Sequence, residues 1–384
     1  MRDVRRPSNC IAFLFLAVLS ICASDCKLES LSTEDWAELM RQAREGNRRA
    51  QTRVGLAFEK GQVVQQDFAE AVKWFSKAAE QADPVAEHNL GVMYYRGVGV
   101  QRNLAEACKW FERAAAGGLL EAQFNAARLY ETGTGVPQNF GRALDLYREA
   151  ARMGYAPAEN NLGRMYEIGE GVTPDAGAAM QWYARSAQQG NATGQFDVGA
   201  LYWQGRGIPQ DFAEAARWFR LAAKQGYAKA QIALGDLYLV GWGLPRDSSA
   251  AQILFQKAAE QGDARAQNKL GILYLKGQGV PRDDSLAAAW FMKAAERGDR
   301  DGQANLATLY EAGRGIARDL KRAYMWRLVS IRGTSLEQSA QLRELALGMD
   351  EMEVAEARRC ASDWVAAQRS DPPDALELHP VLVR

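Results

Sequence analysis

Apolar and polar positions along this chain recur every 36 residues, without slip, for eight periods. An aromatic residue marks each period at Phe58, Tyr94, Tyr130, Tyr166, Tyr202, Tyr238, Tyr274 and Tyr310, and a glycine follows three residues later from Gly61 to Gly313. A fixed period of roughly 20–50 residues denotes stacked supersecondary units, not one globular core. The stretch from Asp83 to Gly118 shows one unit. Ala86, Leu90, Gly91 and Tyr94 fall on one face of a first helix that starts at Pro84, where a missing N–H does no harm. A loop with Gly97 and Gly99 follows, and its Val100, aliphatic in every period, is expected to be buried. Asn103 then opens a second helix.

The second helices carry their own signature. Asp67, Asn103, Asn139, Asp175, Asp211, Asp247, Asp283 and Asp319 hold the N-cap position in all eight units, where a short acceptor satisfies an orphan N–H and contributes about 1 kcal/mol. Glu70, Glu106 and Glu214, three residues on, are expected to complete capping boxes. Carboxylates spaced one per repeat do not converge, which argues against catalysis or calcium binding by these aspartates. An alanine recurs from Ala71 to Ala323. Three residues later stands Trp74, Trp110, Leu146, Trp182, Trp218, Leu254, Trp290 or Trp326, a set expected to form the core of the array. The pattern predicts an all-α fold, a right-handed α-solenoid of helix–turn–helix repeats.

The ends depart from the period. Residues 32–47 read as an N-terminal capping helix and 48–333 as the eight repeats. Residues 334–369 read as two C-terminal capping helices, from Ser335 to Leu347 and from Glu351 to Gln368, and 370–384 as a loose tail. Leu342, Leu345, Met349, Met352, Ala355 and Trp364 are the expected apolar contacts of that closing pair. Residues 1–23 read as a signal peptide: Arg2, Arg5 and Arg6 precede the 11 uncharged, mostly apolar residues from Ile11 to Ile21, a run shorter than the ~20 that span a bilayer. Cleavage after Ala23 or Ser24 suits small-residue rules. Leu19-Ser20-Ile21-Cys22 resembles a lipobox, with Ile21 where a small residue belongs.

The chain of 384 residues has 47 basic and 47 acidic side chains. Loss of residues 1–23 removes three arginines and one aspartate and leaves a net charge of −2. That balance gives no basic stripe for nucleic acid, and no membrane insertion is expected after cleavage. Cys26, Cys108 and Cys360 lie far apart without a CxxC; Val72, Leu144 and Met180 at the place of Cys108 mark a packing position. His88 and His379 have no partner at ligand spacing. The recurring Gly-x-Gly precedes a capped helix in a helical unit, a poor context for phosphate. No catalytic residue, cofactor site or metal site is expected.

The motif Ala-x-x-x-Leu-Gly-x-x-Tyr, Gly-x-Gly-Val, Asp, Ala-x-x-Trp-Phe-x-x-Ala-Ala and Gly resembles the Sel-one-like repeat, a branch of the tetratricopeptide-like superfamily, over residues 48–333. The resemblance implies a scaffold or adaptor for protein partners. It also implies export in bacterial style, periplasmic first and secreted or lipid-anchored as alternatives, with work in envelope regulation, assembly or host contact. A cysteine-rich branch is tied to penicillin binding and β-lactamase activity, but its hallmark disulfide within each repeat has no counterpart here.

Partners of such arrays bind on the concave surface lined by first helices. Away from the Leu-Gly-Tyr stripe, units three and four present Phe124, Arg128 and Glu131, and Asn160, Arg164 and Glu167; their Arg and Glu at i, i+3 read as solvated helix faces with pair energies of only ~0.2–0.5 kcal/mol. Units five to seven instead present Phe196, Trp203, Ile232, Leu239, Ile272 and Leu275, with Trp242 in the adjoining loop. These seven are the candidate protein-binding residues, an apolar groove. Burial between neighbouring first helices is the alternative reading of the same residues.

Overall fold

A computed structural model describes residues 32–331 and 340–370, which form 19 α-helices and no strand. The expected signal peptide at 1–23 lies outside the described residues, as does the tail from 371. The chain divides at Pro174/Asp175 into two units. The first holds α1 (Thr33–Arg44), α2 (Arg48–Lys60), α3 (Phe68–Glu80), α4 (Pro84–Arg96), α5 (Leu104–Ala116), α6 (Leu120–Thr132), α7 (Phe140–Arg152) and α8 (Ala156–Ile168). The second holds α9 (Ala176–Gln188), α10 (Ala192–Gln204), α11 (Phe212–Lys224), α12 (Ala228–Val240), α13 (Ser248–Glu260), α14 (Ala264–Lys276), α15 (Asp284–Glu296), α16 (Arg300–Ala312), α17 (Leu320–Ser330), α18 (Ala340–Leu347) and α19 (Glu351–Ser370). Within each unit successive helices pack against one another through α17, on which both closing helices α18 and α19 then pack, the arrangement of an α-solenoid.

The eight caps form as the sequence predicts. Oδ1 of Asp67, Asn103, Asn139, Asp175, Asp211, Asp247, Asp283 and Asp319 each accepts the amide three residues on at 2.8–3.0 Å. The capping boxes at Glu70, Glu106 and Glu214 do not form. The cap's own N–H is already spent: Asp67 donates to the Phe58 carbonyl, Asn103 to Tyr94 and Asp211 to Tyr202. These glutamates pair instead with Lys73, Lys109 and Arg217, one turn on. A true capping box stands at Ser32 and Asp35, ahead of α1.

Two close approaches set the repeat. The first, in repeats one, two, five, six and seven, pairs a first-helix glycine with the phenylalanine that follows the tryptophan position. Phe75, Phe111, Phe219, Phe255 and Phe291 are fully buried, and a Cβ built on Gly55, Gly91, Gly199, Gly235 or Gly271 would come within 2.5–2.7 Å of the corresponding ring. The second places each loop on the preceding repeat. Gly99 adopts φ +71° with its Cβ position 2.3 Å from the Phe68 carbonyl oxygen, and Gly243 meets the Phe212 backbone likewise. Both the left-handed backbone and the contact demand glycine.

The tryptophans are core on one face only. Trp74, Trp290 and Trp326 are buried, and Trp110, Trp182 and Trp218 half-buried. A cation one turn on covers the ring of four: Lys77 over Trp74, Arg113 over Trp110, Arg185 over Trp182 and Lys293 over Trp290, at 4.1–4.7 Å. In the closing helices, Leu342 and Leu345 are buried and Trp364 meets Trp326 edge-on at 5.6 Å. Met352 and Ala355 do not take the expected role: Met352 is 70% exposed, and Ala357 and Ala361 bury instead. The inward stripe of α19 is set by the phase of Trp364.

Gly235→Ala should therefore cost about 1–3 kcal/mol through overpacking against Phe255. Gly141→Ala, whose Cβ meets little beyond Asn139 Oδ1 at 3.5 Å, should instead gain roughly 0.5 kcal/mol from helix propensity. Urea unfolding of the two variants tests this pair of opposite signs.

Candidate functional site

The seven candidate residues all lie in the second unit. Phe196 and Trp203 are on α10, Ile232 and Leu239 on α12, Ile272 and Leu275 on α14, and Trp242 follows α12. They do not line an open apolar groove. Ile232 is buried, packed in the cluster that holds Phe255. Phe196 sits between Phe219 and Tyr227, ring centroids 5.4 Å from each, and Trp203 meets Phe219 edge-on at 6.2 Å. Leu239, Ile272 and Leu275 are half-buried against neighbouring core clusters. Only Trp242 is open, 46% exposed and stacked on Phe212 at 4.9 Å.

The cause lies in what this helix face meets. Polar pairs on the same face, within and outside these repeats, show that it abuts the following first helix. His88 Nε2 lies 3.0 Å from Asn125 Nδ2, and Asn305 donates to Asn268 at 2.9 Å, both 37 residues apart. Lys269 pairs with Asp236 at 2.8 Å, 33 residues apart. The apolar residues of units five to seven therefore fill a helix–helix seam, which is the alternative reading made from sequence.

Arg164 and Glu131 are corrected in the same way. They are not independent solvated pairs on their own helices. Arg164 reaches from α8 to Glu131 on α6 and also holds Glu170 at 2.9 Å. The Tyr147 hydroxyl donates to Glu131 at 2.6 Å and accepts from Asn161 at 2.9 Å. Burial, then the Glu131 charge, raise the Tyr147 hydroxyl well above its usual value. Burial opposes the Arg164 charge, but Glu131 and Glu170 outweigh it and the guanidinium is raised. The partners 33 positions away leave no trace in a spacing analysis of one helix.

A second polar device went unread. Gln51, Gln123, Gln195, Gln231, Gln267 and Gln303 are buried at one register. Each donates its side-chain amide to the carbonyl of an alanine eight residues earlier, at 3.0–3.5 Å. Glu87 takes this place in the second repeat, where Arg113 bridges its carboxylate at 2.8 Å and the Ala79 carbonyl at 2.9 Å. Burial raises the Glu87 carboxyl despite that partner. The signal was present as a Gln or Glu recurring with the full period.

Among the described residues no three His, Cys, Asp or Glu side chains gather as a metal site, and no helix is long and apolar enough to cross a membrane. Cys108 and Cys360 are free thiols. Burial, with Glu112 adding, pushes Cys108 up to about 11, so it is a packing residue and a poor nucleophile.

Capped helix pairs, a glycine–ring contact and a looped register define a helix–turn–helix repeat scaffold of the tetratricopeptide-like class. Eight consecutive matches to the Sel1 repeat, at 48–83, 84–119, 120–155, 156–191, 192–227, 228–263, 264–299 and 300–326, place the chain in the Sel1 repeat family. No curated protein matches it. A Sel1 repeat protein from Oxalobacter formigenes is similar at 27% identity and TM-score 0.64, over 91% of this chain and 98% of that one. A protective antigen present in uropathogenic Escherichia coli strains, with an SLR fold, is 28% identical at TM-score 0.55, over 90% and 84%. Repeat scaffolds of this family generally serve protein–protein interaction.

The raised Tyr147 hydroxyl carries a pH dependence with a definite sign. The unfolded phenol ionises near pH ~10, whereas the folded one stays neutral, so its stabilisation is complete below ~10 and is lost as pH climbs toward the folded value. Denaturant unfolding between about pH 9 and 12 should show a falling stability, and Tyr147→Phe should flatten that slope.

Proposed function

We propose that this protein is an exported adaptor that holds a protein partner and performs no catalysis. The supporting observation is the allocation of side chains: the recurring tryptophans, the seam residues and the glutamine ladder all serve helix packing, which leaves binding as the scaffold's work. Export rests on the arginine-led, short apolar N-terminus. The periplasm is the favoured location, with secretion or lipid anchoring as the alternatives, and the protective-antigen relative is in keeping with a role in the envelope or in host contact. The hydrolase reading is not favoured, since it belongs to relatives with paired cysteines in each repeat.

Of the seven candidate residues, Trp242 retains an exposed face for contact, backed by Phe212. Aromatic anchors of this kind dominate binding energy at interfaces. A photo-crosslinker at 242 in cells should trap a discrete envelope protein, and Trp242→Ala should lose that capture with unfolding nearly unchanged. Ile232→Ala should instead lower stability by about 2–5 kcal/mol as a core truncation. Absence of any adduct at 242, or a stability loss as large as that of Ile232→Ala, would remove Trp242 from the binding surface. Intact mass of the mature protein from the envelope fraction checks export: it should begin at Ser24 or Asp25, and an uncleaved soluble chain would sink that reading.

A further inference from the structure

Three junctions of the glutamine ladder show how its second polar end is satisfied. The Gln51 Oε1 accepts from Gln81 Nε2 at 2.8 Å, Gln195 from Gln225 at 2.8 Å and Gln231 from Gln261 at 2.9 Å, each donor 30 residues on. The incoming carboxamide also finds a backbone carbonyl, that of Lys77, Gly190 or Lys257. At Gln267 the residue 30 on is Arg297, whose guanidinium lies over Gly262. Gln267 is only 3% exposed, and its Oε1, like those of Gln123 and Gln303, accepts no hydrogen bond among the described residues; at Gln267 the orphan coincides with a cavity. Its Nε2 is already spent on the Ala259 carbonyl. A buried acceptor left in this state costs about 1–3 kcal/mol.

A cavity of about 360 Å³ opens at this place in the second unit, lined by Gln267 and Trp290, by Lys293 and Arg297, and by Glu260 and Glu296. Gly262 lines it too; Gly262 and Lys293 stand where Gly190 and Lys257 stand in the sister junctions. Two cations balance two carboxylates around the opening, so the lining favours an uncharged group.

We propose that this cavity is a subsite for a primary carboxamide, the side chain of a glutamine or asparagine in a bound protein segment. The group would donate to Gln267 Oε1, as Gln81, Gln225 and Gln261 do elsewhere in the chain. The proposal rests on the protein-binding reading and names what the bound segment presents; the capture experiment at 242 and the test below fail independently.

The probe is N-acetyl-L-glutamine N-methylamide, whose only primary carboxamide is the side chain, added to the ¹⁵N-labelled full chain while the Trp290 indole N–H is followed, its signal assigned through Trp290→Phe. A saturable shift is expected with a dissociation constant of about 1 mM, the scale for so small a ligand. N-acetyl-L-glutamate N-methylamide has no primary carboxamide and should bind about tenfold more weakly, the loss of one hydrogen bond to a buried acceptor. Arg297→Gln supplies the donor from within, as in the three sister junctions, so it should abolish the shift and melt no lower than the parent. No saturable shift, meaning a cavity filled by solvent alone, overturns the proposal. So does an equal response from the glutamate probe or from Arg297→Gln. Free L-glutamine binding as tightly as the blocked probe would overturn the assignment to a protein segment.

Discussion

A close approach between a small residue of each first helix, glycine in six repeats and alanine in two, and its partner helix underlies the repeat. With no Cβ at Gly55, Gly91, Gly199, Gly235 or Gly271, a phenylalanine ring lies against helix backbone. That proximity fixes the distance between the two helices of a pair. The distance in turn lets the cap amide of Asp67 or Asn103 reach back to the carbonyl of Phe58 or Tyr94, which closes the loop. Interiors this dense tolerate little added volume, yet the third repeat, with Ala127 at this position and a buried Tyr147 as its ring, closes the same loop from Asn139 N–H to the Tyr130 carbonyl. The eighth repeat, with Ala307 for glycine and Arg327 for the aromatic, changes both partners together.

Between neighbouring repeats the rule is looser. One seam position holds His88 beside Asn125, another Asn268 beside Asn305, another an Asp236–Lys269 ion pair, and elsewhere phenylalanine or isoleucine. Fill and polar satisfaction matter there more than residue type. The glutamine ladder is more regular: it adds a side-chain donor to a late carbonyl of the preceding second helix, which also accepts the backbone N–H three residues on.

The fold was legible because its determinants are local and periodic. An aspartate or asparagine every 36 residues is a cap whatever surrounds it, and the structure has all eight. The seam was not legible. Phe196, Ile232 and Ile272 were rightly grouped on one helix face, but whether that face meets water or another first helix depends on a spacing that no single helix encodes. Glu70 failed as a capping-box partner for a similar reason: the N–H it needed was claimed by a carbonyl nine residues upstream of the cap. The role of the glutamines is not legible in the sequence, because a polar residue on a helix reads as solvent-facing unless its partner, eight residues earlier on another helix, is known.

The cations over Trp74, Trp110, Trp182 and Trp290 bear on colloidal behaviour more than on folding. Without them, the second helices would present a ladder of indole faces at repeat spacing, a template that any other array of the same period could match. Lys77, Arg113, Arg185 and Lys293 put like charge on each rung. Two such ladders brought face to face repel before their rings can meet, so the charges guard against lateral self-association while the indoles stay available to the core.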